Sequence, residues 1–400
     1  MNIEYLLGSI DKKSFFNEFY QKKHLYIKRN DKSYYDNILT LKDIDEYLSK
    51  KDIRYPSIRV VKNGLKIDKY KYLKDIPYGD SCFTELLDND KLYKLYKDGS
   101  TIVLQSFQRH IESLRRLSLE LHSQILCEFQ ANLYLTPKLS QGFAAHYDAH
   151  DVLILQIHGK KEWYLYESPE FLPTKNQTFF STPHCQIDWD NMKPTFHKTI
   201  EEGDLLYIPR GLVHKAVTTD TTSLHITFGM FPQKWHNLLA YIANSITEFT
   251  DFREALPIYN KTYQSDYILN ELKNKFDKVI DSSKMKEFVV DYIDKYTIQK
   301  RMTSDLNRLL DFEKLEQVCE NSVIQRRKEI IFRIEKDSQS HLIFYDKKVT
   351  LPIFMNEAIA YVAKNEKFKI RDLPNNIDIE SKILFTKKLI EEGFLTISYE

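Results

Sequence analysis

The sequence predicts an α+β chain in which an antiparallel β-barrel or sandwich is flanked by helical regions. Three observations carry this. From residue 131 the apolar period shifts to that of strands, and seven short segments follow with turn residues between them. Before 131 and beyond Pro232 apolar residues recur every three to four positions, the spacing of packed helices. The β-rich stretch also holds an imidazole and a carboxylate two residues apart, His146-Tyr147-Asp148, with His214 further on.

The first region, 1–130, reads as mostly helix with short strands. Asp11 caps a helix bearing Phe15, Phe16 and Phe19, and Thr40 or Asp43 starts another through Leu48. Residues 24–27 and 58–61 read as strands, the second running into the turn Lys62-Asn63-Gly64. Residues 105–126 carry Phe107, Ile111, Leu114, Leu117, Leu121 and Ile125, a helix with one packed face. The second region, 131–232, supplies the barrel, with strands expected over 131–136, 142–147, 152–158, 162–166, 205–208, 216–219 and 224–228. Residues 167–194 read as an excursion over the barrel mouth.

The third region, 233–340, reads as helical to about 335. Trp235, Leu238, Leu239, Ile242, Ile246 and Phe249 form one stripe, and Leu269, Leu272, Phe276 and Ile280 another. Such stripes need burial, and a homodimer is the commonest solution. The fourth region, 341–400, suggests a winged-helix-like module: Phe354, Ala358, Tyr361 and Val362 on one helix, Ile383, Leu384, Leu389 and Ile390 on a second, then a strand from Gly393. Residues 345–400 hold nine Lys/Arg and nine Asp/Glu, so no direct DNA binding is expected of them.

Composition is that of a soluble globular protein, 42% hydrophobic and 29% charged over 400 residues. A formal net charge of +1 gives no electrostatic case for nucleic acid or membrane. No apolar run approaches the ~18 residues of a membrane span, and the first residues lack a secretory pattern. Cys82, Cys127, Cys185 and Cys319 stand far apart and form no CxxC pair, which fits a reducing cytoplasm.

On extended backbone His146 and Asp148 leave the same face of one strand. His214 closes the segment Gly203-Asp204 to Pro209-Arg210-Gly211 and offers a third ligand. Two histidines and a carboxylate occupy one face of an Fe(II) octahedron and leave three positions for co-substrate and oxygen. A lone His-x-Asp is more often a pair of surface polar residues; the β context and the distal histidine raise this one above that background. His150 shares the parity of the pair and is read as a polar residue at the rim. His158, His184, His197 and His225 are read as locally hydrogen-bonded. Lys160 and Lys161 point to opposite faces of a strand, so one of them alone can face the metal. A lysine buried there needs an anion as partner.

Three stretches carry a likeness to a known family. They are Asn132-Leu133-Tyr134-Leu135-Thr136-Pro137, then Gln141-Gly142-Phe143 to His146-x-Asp148, then Leu155-Gln156-x-x-Gly159-x-Lys161-x-Trp163. With Gly203-Asp204 to His214 and Ser223-Leu224-His225-Ile226-Thr227, the chain resembles the JmjC-type ribosomal oxygenases, cupin-fold hydroxylases of proteins. The openings Phe15-Phe16-x-x-Phe19 and Arg59-Val60-Val61-Lys62-Asn63-Gly64 are similar to that family's N-terminal region, and the later helices and small module to its dimerisation and winged-helix parts.

The resemblance implies a double-stranded β-helix (cupin/JmjC) core. It implies a dioxygenase using Fe(II), 2-oxoglutarate and O2 to hydroxylate a protein or peptide side chain, with a ribosomal protein as the expected partner. His146, Asp148 and His214 would bind the iron and Lys161 the far carboxylate of 2-oxoglutarate, while Asn132, Tyr134 and Thr227 would line the co-substrate pocket. Recruitment of a basic ribosomal protein would fall to acidic groups such as Asp188, Asp190, Glu201 and Glu202. Two alternatives remain beside this reading. One is a hydroxylase of a small metabolite or peptide natural product; the other is a non-catalytic metal-binding cupin that senses a ligand. Lysine demethylases share the metal core, but the resemblance points away from them.

Overall fold

Thirteen strands build the first part of the chain: β1 (Leu25–Ile27), β2 (Ile58–Lys62), β3 (Leu65–Lys66), β4 (Leu73–Tyr78), β5 (Ser81–Leu87), β6 (Thr101–Leu104), β7 (Glu128–Thr136), β8 (Asp151–Gly159), β9 (Lys161–Leu165), β10 (Phe196–Ile200), β11 (Leu205–Ile208), β12 (His214–Val217) and β13 (Ser223–Phe231). The computed structural model describes residues 1–256, 265–298, 307–327 and 330–399. The chain divides into two compact units, 1–231 and 232–400.

In the first unit an antiparallel eight-stranded sheet, β1-β11-β8-β13-β7-β6-β2-β3, stands with a three-stranded sheet, β10-β9-β12. The expected α+β class and cupin-type core are therefore present. Alternation along β7 shows how the sequence specifies it. Phe129, Ala131, Leu133 and Leu135 turn toward the N-terminal helices and are buried in one large cluster with Leu114, Leu117 and Leu121 of the helix Glu112–Ile125. Each such leucine contributes roughly 2 kcal/mol when fully buried. Gln130, Asn132 and Tyr134 take the opposite face. β8 is apolar on both faces: Leu153, Leu155 and Ile157 join that cluster, while Val152 and Ile154 pack with Trp163, Leu165, Leu206 and Ile208. A strand buried twice reads as a continuous apolar run, which is what its sequence shows.

Several expected elements differ. Residues 142–147 are not a strand; they hold one isolated bridge, His146 to His214, with another at Gln141 to Val217 just before them. Region 1–130 holds more strand than expected, including the β4–β5 hairpin and β6. The hairpin residues Ile76, Tyr78 and Phe83 are exposed, so no buried face imprints an alternation on the sequence. β10 was missed for the same reason, since three of its five residues are exposed. The helix read over 105–126 is two pieces, a single turn at Phe107–Arg109 and the helix Glu112–Ile125. At the start of the helix Leu41–Leu48 the cap is Thr40, with Asp43 answering it in a reciprocal capping box.

The second unit opens with the helices Trp235–Ser245, Ser265–Val279 and Ser283–Thr297. Ile242, Ile246, Val279, Met285 and Phe288 form their core, whereas Trp235 and Leu239 of the same stripe remain 82% and 61% exposed. The helical run expected to 335 passes through 299–306 and 328–329, which lie outside the described residues. Within the described residues it is overturned: Val323–Arg326 and Phe332–Lys336 are strands. The charged block Arg326-Arg327-Lys328-Glu329 interrupts their β-branched and aromatic pattern and mimics the surface of a helix. Val318 and Ile324 share one core with Ala358, Ile359, Phe385 and Leu389, so the last module is built from residues upstream of 341 as well. No described helix is long and apolar enough to cross a membrane.

Candidate metal centre and anion pocket

The segment between β7 and β8 is fastened to the turn before β12 by backbone alone. His146 N–H donates to His214 O at 3.1 Å, His214 N–H to His146 O at 2.8 Å, and Gly211 N–H to Asp148 O at 3.0 Å. At the start of β11 the buried Asp204 carboxylate accepts from Tyr26 Oη at 2.8 Å and from the N–H groups of Arg29 at 3.0 Å and Glu201 at 3.1 Å, which fixes the Glu201–Asp204 turn.

These contacts bring three ligand types together. One donor atom each from His146, Asp148 and His214 lies within 4.8 Å of the others, the one such His/Cys/Asp/Glu group among the described residues. His214 Nε2 stands 3.9 Å from Asp148 Oδ2. In both imidazoles Nδ1–H donates to the carbonyl two residues back, His146 to Ala144 O at 2.8 Å and His214 to Leu212 O at 3.1 Å. The bonds fix ring orientation and tautomer and leave Nε2 as the free ligand atom. Burial, with His146 adding to it, pushes the His214 imidazole down to about 4, so it is neutral and ready to ligate. Burial alone would raise the Asp148 carboxyl, but His150, His146, His214 and Arg59 outweigh it and hold the group below the ordinary carboxylate value.

A cavity of about 280 Å³ opens on this group. Lys161 lies in it, 4% exposed, on the inward face of β9 with Trp163 and Leu165. Gly159 at φ +63° makes the turn that feeds this strand; a Cβ there would sit 1.8 Å from Thr222 O. Lys161 Nζ donates to Thr136 Oγ1 at 3.1 Å and meets no carboxylate among the described residues. Burial lowers its ammonium to about 7. Lys160 points out and pairs with Asp220 at 3.0 Å.

Asn132 and Thr227 face each other across β7 and β13, as do Tyr134 and His225, and all four line the cavity. His225 was read as a locally bonded residue, and the structure corrects this. It is 3% exposed, stacks on Tyr134 at 4.9 Å, and its Nδ1 has no partner. Its position two residues before Thr227 on one strand was the signal available. Arg59 was also missed as a pocket residue. It projects from β2 opposite the buried Ile58 and Val60, its guanidinium 5.4 Å from the Phe143 ring and its Nε unpartnered. His150 lines the cavity but stacks on Phe231 at 4.5 Å, outside the ligand group. His158, His184 and His197 stand beside Glu202, Glu170 and Glu162.

The excursion 167–194 forms three short turns. Phe179 and Trp189 pack on Tyr147, Tyr166 and Val213, while Phe180 borders the cavity at 77% exposure. The acidic groups expected to recruit a substrate are already engaged. Asp190 pairs with Lys215, Glu201 with Lys28, Glu202 with His158 and Gly159 N–H, and Asp188 accepts from Asn191.

Two histidines and a carboxylate beside a buried lysine, set in a cupin-type β core, make a candidate metal centre. Residues 103–238 match the JmjC domain family model. The chain is 34% identical over 253 residues to the bifunctional lysine-specific demethylase and histidyl-hydroxylase NO66 of Dictyostelium discoideum, covering 61% of this chain and 46% of the relative. The Aedes aegypti protein of that name is 30% identical over 283 residues, covering 66% and 43%. The chain thus spans less than half the length of these relatives. Among solved structures it resembles the ribosomal oxygenase YcfD of Escherichia coli in complex with cobalt and 2-oxoglutarate, with a TM-score of 0.56, 13% identity, and 98% and 99% of the two chains covered. That likeness is one of fold.

Proposed function

We propose that this chain is an Fe(II)- and 2-oxoglutarate-dependent dioxygenase that hydroxylates a side chain of a protein, with a ribosomal protein as substrate. One observation carries the reading: a buried lysine lacking a carboxylate partner shares a cavity with a two-histidine, one-carboxylate donor set. The residues fit the group. His146 and His214 would hold the metal through Nε2 and Asp148 through a carboxylate oxygen, and Lys161 would receive the far carboxylate of the keto acid. Bound together, Fe(II), 2-oxoglutarate and O2 supply the oxidising chemistry, in which the keto acid yields succinate and carbon dioxide and a C–H bond gains oxygen. The protein contributes positioning. Asn132, Tyr134 and Thr227 line the co-substrate's berth, and the Tyr134–His225 stack and Trp163 wall it from water.

The charge of the cavity favours a neutral target side chain over a lysine. Its lining has one carboxylate, Asp148, which the metal would occupy, while Lys215 is paired with Asp190, Lys161 would be paired by the keto acid, and Arg59 remains as a further cation. An incoming ammonium would be desolvated beside Arg59 with no lining carboxylate left to meet it. Of the two activities in the relatives' name, this supports hydroxylation. Incubation with Fe(II), 2-oxoglutarate and ribosomal proteins should release succinate and add one oxygen atom to a protein residue, read by peptide mass spectrometry. Succinate release with free amino acids and never with protein would move the reading to a metabolite hydroxylase.

Exposed Trp235, Leu239, Leu269, Leu272 and Ile280 support a homodimer through the helices after Pro232. Light scattering at micromolar concentration should give twice the 47.7 kDa chain mass; a monomer would withdraw this. A ribosomal substrate and four unpaired cysteines fit a cytoplasmic setting. The charge balance of 345–400 supports a structural module, without DNA as partner.

A further inference from the structure

We infer that Gly64, in the β2–β3 turn of the N-terminal region, is a positioning residue for the metal ligand His146. The inference rests on the reading of His146, Asp148 and His214 as a metal site. Residues 141–146 have no strand ladder to hold them, yet they carry the first ligand. Their other support is the β2–β3 turn. Asn63 N–H donates to Gln141 O at 2.9 Å and Gly64 N–H to Gly142 O at 2.7 Å.

Gly64 has φ +81°, and a Cβ on it would lie 2.9 Å from Ala144 Cβ and 3.2 Å from Ala144 N. Ala144 in turn supplies the carbonyl that receives His146 Nδ1–H at 2.8 Å. The contact therefore runs from a bare glycine face, through one peptide, to the acceptor that orients a ligand ring. A methyl at 64 must push Ala144 away, and the push is delivered to the carbonyl on which the imidazole hangs. Loss of such outer support of a ligand typically costs about 10–100-fold in metal affinity. His214 is oriented separately, by Leu212 O, and should keep its place.

The test is Co(II) titration of the full chain, followed by its visible absorption, for wild type, Gly64→Ala, Ala144→Gly and the double variant. Gly64→Ala should weaken Co(II) binding about ten-fold and alter the cobalt spectrum. Ala144→Gly alone keeps the acceptor carbonyl and serves as the reference for the double variant. The double variant should recover most of the affinity, because the opposing methyl is gone while the positive φ remains. Thermal melts of the metal-free proteins run beside the titrations separate positioning from folding: a Gly64→Ala protein that is still fully folded at the titration temperature and yet binds Co(II) weakly has lost positioning, not its fold. Wild-type affinity in Gly64→Ala, or a loss that Ala144→Gly fails to relieve, would overturn the inference. Wild type binding no better than His214→Ala would overturn it by removing the metal site itself, an outcome distinct from a normal wild type with an unaffected glycine variant.

Discussion

His214→Ala should lose metal affinity by more than about 100-fold, since disturbing only the outer partners of a ligand already costs 10–100-fold, and hydroxylation should fall with it. His214 is the most buried of the three candidate ligands, and it joins two otherwise separate segments of the chain. Titration with Co(II) or Fe(II), alongside thermal melts of the metal-free proteins, separates ligand loss from unfolding. A variant that melts like wild type and still binds one equivalent tightly would remove His214 from the site. The pH dependence has a definite sign. The folded protein holds His214 near 4, below an unfolded histidine at about 6.5, so the unfolded chain binds more protons between these values. Metal-free stability should therefore fall as pH drops from about 6.5 toward 4, and bound metal should steepen the fall because its ligands must be deprotonated.

What could be read in the sequence follows from where periodicity is imposed. β7, β8, β9 and β13 are each buried on at least one face, so burial writes a pattern into them, and all four were anticipated, although β7 begins before residue 131 and β13 runs on past 228. The β4–β5 hairpin and β10 expose most of their side chains and leave no such trace. The grouping of His146, Asp148 and His214 was legible as a candidate because a metal site needs particular residue types at short spacing. The same spacing points to a strand through 142–147, where the structure has isolated bridges in place of a ladder. The two side chains converge because carbonyls and N–H groups of the distal turn fasten that segment, and long-range fastening has no local signature. Arg59 and His225 fall between these cases: single polar residues on apolar strands, whose alternation was visible but whose inward face was fixed only once β2 and β13 had neighbours.

Lys161→Ala should raise the 2-oxoglutarate Kd steeply while Lys160→Ala leaves it nearly unchanged. Truncating one member of a buried charge-assisted pair costs about 2–5 kcal/mol, a factor of roughly thirty to several thousand. Lys160 is already paired with Asp220 at the surface and does not face the cavity. The lysine's environment adds a signature that a packing defect would lack. In the ligand-free protein burial holds the Lys161 ammonium near 7, with Thr136 as its hydrogen-bond acceptor. A dianionic ligand prefers the charged form, so binding above that value takes up a proton, and Kd should climb about ten-fold per pH unit above 7 until the bound state itself titrates. Calorimetry with Co(II) in place of iron, in buffers of different ionisation enthalpy, measures both the affinity and the proton. Lys161→Ala should bind weakly at every pH, with the slope and the proton uptake above pH 7 both gone. An unchanged slope in that variant would mean that another group receives the distal carboxylate. Equal losses in Lys160→Ala and Lys161→Ala would mean that the inward register of β9 does not govern co-substrate binding.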